Sequence, residues 1–286
     1  MITDALWADI DGDNKKELIV CGEWMPVQAF SYINGKFIRK RLKGADDSFG
    51  WWNVVRAVDI DSDGDMDLIA GNLGLNSKFK ADPAHPVEMY AGDFDGNGTP
   101  ETVVTVYKND SISYPFNLRG DMVAQMPLLK KKFLLYSEYA GKKIDQVFTA
   151  KQLSKATKFK ANCFASCVFI NDGKGNFTKK ELPVQAQFSP VYAILADDFN
   201  KDGHPDIFLA GNFNAVKPEI GGYDANYGQV YLGDGKGNFR FIKPQQSGIF
   251  IQGEARDAVL LKNIKGVTYI AVALNNDRPC FFKLNQ

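Results

Sequence analysis

An all-β fold of repeated small sheets is predicted by two observations. A nine-residue acidic frame recurs four times ahead of β-branched runs, and a Gly-rich turn occurs twice in identical form. Each unit of such a repeat buries its apolar face against its neighbours, so period is the first thing to look for. The 286 residues suffice for one large all-β domain or two ordinary ones.

The frame reads Asp-x-Asp/Asn-x-Asp/Asn-Gly-x-x-Asp/Glu. Its copies are Asp9, Asp11, Asp13, Asn14, Glu17; Asp59, Asp61, Asp63, Gly64, Asp67; Asp93, Asp95, Asn97, Gly98, Glu101; and Asp198, Asn200, Asp202, Gly203, Asp206. Each runs into a strand-like segment such as Leu-Ile-Val-Cys-Gly or Ile-Phe-Leu-Ala-Gly-Asn. The turn Asp-Gly-Lys-Gly-Asn-Phe spans 172–177 and 234–239, and Tyr32-Ile-Asn-Gly-Lys-Phe37 is a weaker version. Such Asp-Gly and Gly-Asn pairs between apolar runs predict hairpins. Ala258–Gly266 keeps the frame's place but has lost its acids, which adds a fifth, metal-free unit.

Five units match the spacing of four-stranded blades, so the prediction is an all-β β-propeller of about five blades in a single domain, 1–286. The blade bounds are 1–45, 46–90, 91–182, 183–245 and 246–286, either as a closed ring or as part of a seven-bladed one. In the long third unit, Met126, Leu129, Phe133 and Tyr136, then Ile144, Val147 and Phe148, recur at helical steps. They predict a helical insertion at 121–159 that caps one blade.

The frames predict cation sites. Calcium takes six to eight oxygen ligands, which carboxylates at alternate positions of a tight turn supply. Ligation is expected from Asp9, Asp11, Asp13 and Glu17, from Asp59, Asp61, Asp63 and Asp67, from Asp93, Asp95, Asn97 and Glu101, and from Asp198, Asn200, Asp202 and Asp206. Lys15, Asp65, Thr99 and His204 would offer backbone carbonyls at position 7. Position 6 must turn left-handed, which suits glycine and tolerates asparagine. An EF-hand is excluded, because position 12 is Val20, Ala70, Val104 or Leu209 and not the closing glutamate. The loops hold no cysteine, which argues against zinc. About four calcium sites are expected.

These loops and turns resemble the FG-GAP/VCBS repeat, the propeller repeat of integrin alpha heads and many bacterial surface proteins. Glu23-Trp-Met-Pro and Ala186-Gln-Phe-Ser-Pro resemble segments of large bacterial members that often carry an ASPIC/UnbV module. The resemblance implies an exported or surface-attached binding platform. Its ligand would be a glycan or a protein, met by Trp24, Trp51, Trp52, Asn72, Asn76, Asn212, Asn214, Asn275 and Asn276, the asparagines forming a ring on one face. The tryptophans also read as core or inter-blade packing, and the asparagines as turn formers.

Lys+Arg and Asp+Glu are both 34, so nothing in the charge points to nucleic acid. No apolar run reaches the roughly 18 residues that span a bilayer. No signal peptide opens the chain, and the abrupt start before Asp9 suggests that an export signal lies upstream or has been removed. With two histidines and no nucleophile or phosphate-loop motif, a non-enzyme is expected, the alternatives being a carbohydrate-active enzyme and a purely structural segment. Cys21, Cys163, Cys167 and Cys280 read as buried thiols, a Cys21–Cys280 bridge or a redox pair.

Overall fold

Residues 1–108 and 112–284 are described by the computed structural model. The described residues are mostly β, with five antiparallel sheets of the propeller-blade kind among them, and the chain divides into two compact units. Unit 1 comprises Met1–Lys78 and Phe164–Gln286; unit 2 is Phe79–Cys163.

Unit 1 holds four sheets. The first runs in chain order through β1 (Ile2–Ala8), β2 (Glu17–Met25), β3 (Gln28–Ile33) and β4 (Lys36–Lys40), with the short β5 (Gly50–Trp51) against β2. The second pairs β6 (Val54–Val58) and β7 (Asp67–Gly71) with β12 (Cys167–Asn171) and β13 (Phe177–Glu181). The third runs β14 (Val191–Asp197), β15 (Asp206–Gly211), β16 (Gln229–Gly233) and β17 (Phe239–Ile242). After the short α6 (Pro244–Ser247), the fourth has three strands, β18 (Ala255–Lys262), β19 (Thr268–Leu274) and β20 (Cys280–Lys283).

Alternation along its strands gives the third sheet two apolar faces, and it packs between the second and the fourth. Ile69 and Val168 of the second sheet meet Ile194, Ile207, Leu209 and Tyr231 of the third. From the other face of the third, Phe208, Ala210 and Val230 meet Ile270 and Val272 of the fourth. Side chains this size are each worth roughly 1.5–3 kcal/mol when fully buried. First and second sheets are joined in part by Asp4, whose carboxylate accepts from the Val55 amide at 3.0 Å and the Arg56 guanidinium at 2.7 Å.

Unit 2 has its own sheet, formed by β8 (Val87–Gly92), β9 (Glu101–Tyr107), β10 (Ser113–Pro115) and β11 (Thr157–Ala161) in the order β10-β9-β8-β11. Five short helices lie between β10 and β11: α1 (Arg119–Gln125), α2 (Leu129–Lys132), α3 (Tyr136–Tyr139), α4 (Ile144–Val147) and α5 (Ala150–Lys155). Met126, Leu129, Phe133, Val147 and Phe148 are buried, with Phe94 and Val103 in the same core. Tyr136, expected on that apolar face, is 67% exposed, and Arg119 lies over its ring at 5.1 Å.

The strand pairing corrects the bounds at 46–90 and 91–182, and with them the single domain. β7 is continued by β12, not by the strands that follow it in the chain. The second blade is therefore split, and the residues between its halves form a separate unit with a sheet of different strand order. The helices cap that sheet. The first sheet reaches past 45 to β5, and the third lies between gaps at 182–190 and 243–254. Cys21, Cys163 and Cys167 are buried thiols and Cys280 is half-buried, with no bridge between Cys21 and Cys280. Burial pushes the Cys21 thiol up to about 12, which leaves it inert at neutral pH.

Candidate metal loops and surface

All four frames occupy the same place, the hairpin between the first and second strands of a sheet: β1–β2, β6–β7, β8–β9 and β14–β15. They share one hydrogen-bond plan. The position-1 carboxylate accepts from the position-6 amide, Asp9 from Asn14 at 2.8 Å, Asp59 from Gly64 at 3.0 Å, Asp93 from Gly98 at 2.9 Å and Asp198 from Gly203 at 2.9 Å. Those position-6 residues have φ of 64°, 95°, 84° and 89°, so the expected left-handed turn is present in each, Asn14 included. The position-5 side chain accepts from the amide of position 7, at 2.8 Å for Lys15, 2.9 Å for Asp65, 2.7 Å for Thr99 and 2.9 Å for His204.

Position 9 is the anchor. Glu17, Asp67, Glu101 and Asp206 are all buried. Each accepts from the position-2 amide, Ile10 at 3.4 Å, Ile60 at 2.8 Å, Phe94 at 2.9 Å and Phe199 at 3.0 Å. The second oxygen of Asp67 accepts from Asn171 at 2.7 Å, and that of Asp206 from Gly233 at 3.0 Å. These aspartates thus tie the acidic loop to the third strand of their sheet.

Position 7 lies against the turn between the third and fourth strands. Asp65 lies against Gly173, and His204 against Gly235, so closely that a Cβ on either glycine would collide with the side chain. Both glycines have positive φ, 71° and 63°. The two identical turns therefore begin Asp-Gly because the neighbouring loop leaves no room for a side chain.

Groups of three acids converge within 4.8 Å at Asp9, Asp11 and Asp13, at Asp59, Asp61 and Asp67, and at Asp93, Asp95 and Glu101. The second fits a hard cation well. Asp61 Oδ1 is buried without a hydrogen-bond partner, and burial, followed by the charges of Asp63 and Asp59, raises its carboxyl. Burial lifts Asp67 to about 6, partly opposed by its bonds from Asn171 and Ile60. A divalent ion offsets both effects, and an all-oxygen set favours calcium or magnesium over zinc. In the fourth loop Asn200 is bonded to Asp202 at 2.9 Å, and the three acids form no such group among the described residues. The fifth, acid-free hairpin is closed by Asn263, which accepts from Lys265 at 2.9 Å and Val267 at 3.0 Å.

The raised Asp67 carboxyl sets a pH dependence. A group that the fold keeps protonated contributes stability below its ordinary value of 3.8 and loses it as the pH rises through about 6. In calcium-free buffer the stability deficit of Asp67→Asn, measured by urea midpoints, is expected to narrow between about pH 4 and pH 7.

Residues 9–70 match the FG-GAP-like repeat. The matched stretch opens on the first acid of the first frame and ends in β7, so this FG-GAP-like match spans the first two acidic loops. No curated protein matches the chain. Among the described residues no helix is long and apolar enough to cross a membrane.

The surface residues expected to meet a ligand divide sharply. Asn72, Asn212 and Trp52 are buried, which corrects their assignment to a binding face. Asn212, at φ 88°, donates to Asn226 at 2.7 Å and to Gly253 at 2.9 Å. Asn72 accepts from Trp51 at 3.1 Å, and Trp52 donates to Ser48 at 2.8 Å. Half-buried Trp24 and Trp51 pack edge to face at 5.0 Å. Asn76, Asn214, Asn275 and Asn276 are exposed. The sequence reading missed an aromatic patch on the first sheet, where Trp7, Tyr32 and Phe37 are 49%, 58% and 53% exposed. Phe37 lies 6.2 Å from Trp7 and 5.0 Å from Tyr32. Strand alternation offered the signal, since register places all three on one face.

Proposed function

We propose that this chain is a non-catalytic, calcium-stabilised binding module of an exported or surface-attached protein, with a glycan or protein as ligand. The observation that supports calcium is the second loop, where Asp59, Asp61 and Asp67 converge around a buried oxygen that has no partner of its own. The loops at 59–67 and 93–101, whose acids converge, take calcium, and so does the loop at 198–206 by the hydrogen-bond plan it shares with them, so the ion serves the fold and the fold presents a surface. That role agrees with the FG-GAP-like match and with the four frames sharing one hairpin position. Exported bacterial proteins that combine such repeats with VCBS or ASPIC/UnbV modules are the setting we propose.

The contact surface is formed by the aromatic patch of Trp7, Tyr32 and Phe37, since exposed aromatics serve both glycan stacking and protein contacts. Glycan-array binding in millimolar calcium is expected to fall at least tenfold in Trp7→Ala, and in EDTA to be lost at a lower temperature, where the calcium-free fold melts. Array and candidate-protein screens that return no binding in calcium would count against this reading, as would binding indifferent to both changes.

A further inference from the structure

The first loop departs from the plan in one respect. Lys40, at the end of β4, donates to Asp11 and, at 3.2 Å, to Glu17. Glu17 is only 3% exposed, and its remaining partners are Ser31 Oγ at 3.3 Å and the Ile10 amide at 3.4 Å. Glu17 Oε1 is thereby taken by the ammonium and the hydroxyl. The second and third loops bring their position-9 acids, Asp67 and Glu101, into the converging group, whereas the first converges only through Asp9, Asp11 and Asp13.

The repeat supplies its own comparison. Strand register sets Lys40 opposite Ala29 three residues after Phe37, and the matching residues after Phe177 and Phe239 are Lys180 and Ile242. Lys180 donates to the Lys236 carbonyl at 3.2 Å, and Ile242 packs in the apolar core between the third and fourth sheets. Among the described residues no lysine or arginine forms an ion pair with an acid of the other three frames. Asp11 Oδ1 keeps no partner, but a divalent ion there would stand beside an ammonium and lack its position-9 ligand, so the set does not fit calcium while Lys40 is in place.

We propose that Lys40 is the resident counter-ion of the first loop, which closes without calcium while its sister loops take the ion. This inference rests on the calcium reading above. Calcium stoichiometry by titration calorimetry on the whole chain tests it, with circular dichroism to confirm folding. Lys40→Met is expected to bind one more ion per chain than the wild type, while Asp11→Asn in the wild type leaves the number unchanged and Asp61→Asn lowers it by one. Loss of an ion in Asp11→Asn, or no gain in a folded Lys40→Met, overturns the role of Lys40 alone. Absence of calcium binding in both wild type and Lys40→Met overturns this inference together with the loop reading. If Lys40→Met does not fold, the Asp11→Asn comparison still decides.

Discussion

Alanine at position 67 is expected to lower the thermal midpoint of unit 1 by about 5–20 °C in calcium-free buffer. Asp67 is fully buried, and its two oxygens serve two backbone amides, Ile60 at 2.8 Å and Asn171 at 2.7 Å. Leaving a buried donor unsatisfied costs roughly 1–3 kcal/mol, so truncation costs about 2–6 kcal/mol. Domains of this size have about 5–15 kcal/mol in hand and lose roughly 2–4 °C per kcal/mol. The damage also spreads, because the lost Asn171 bond joins the hairpin of β6 and β7 to β12, which follows the inserted unit in the chain. Asp234 is the control. It sits exposed in the Gly-rich turn and accepts from Lys236 at 2.9 Å and Asn238 at 3.0 Å, so Asp234→Ala is expected to cost no more than about 1 kcal/mol. Scanning calorimetry of both variants checks the contrast. Equal midpoints would show that position 9 does not anchor the loop.

Calcium is expected to raise the same midpoint, and by more than any single exposed ion pair can. An ion that binds only the folded state stabilises by about 2.7 kcal/mol when its free concentration is a hundred times its dissociation constant. Two filled loops then give about 5 kcal/mol, against roughly 0–1 kcal/mol for a surface salt bridge. Asp61→Asn should remove about half of that calcium-dependent gain, since Asp61 supplies the oxygen that has no other partner. Asp95→Asn should remove a share from unit 2, whose loop carries Asp93, Asp95 and Glu101. Calorimetric scans in EDTA and in millimolar calcium provide the measurement, and superimposed scans would refute the expectation.

Local structure was legible in the sequence wherever one residue type has one physical use. The left-handed position 6, the anchoring acid at position 9 and the paired Gly-rich hairpins are written in Asn14, Gly64, Asp67 and Gly173 themselves. The split of the second sheet was not. The third frame is as good a hairpin as the others, and nothing local says that β8 and β9 start a separate sheet. A count offered the clue: the second frame lacks an outer turn of its own, and the turn at Asp172 has no nearer preceding frame in unit 1 to serve. Asn72 and Asn212 misled for a related reason. Asparagine suits both solvent and a buried turn, and only tertiary packing separates the two uses. Lys40 was equally silent, since its reach to Asp11 and Glu17 depends on the registers of β2, β3 and β4 together.

The division of the second sheet imposes an order of events on a nascent chain. When β7 leaves the ribosome its partner β12 has not been made, and residues 79–163 must be translated first. At roughly 5–20 residues per second that interval lasts several seconds. Through it, Leu68, Ile69 and Ala70 present an unpaired apolar edge, the kind of segment that holdase chaperones bind. The inserted unit contains the strands of its own sheet, so it is able to fold while the outer sheet waits.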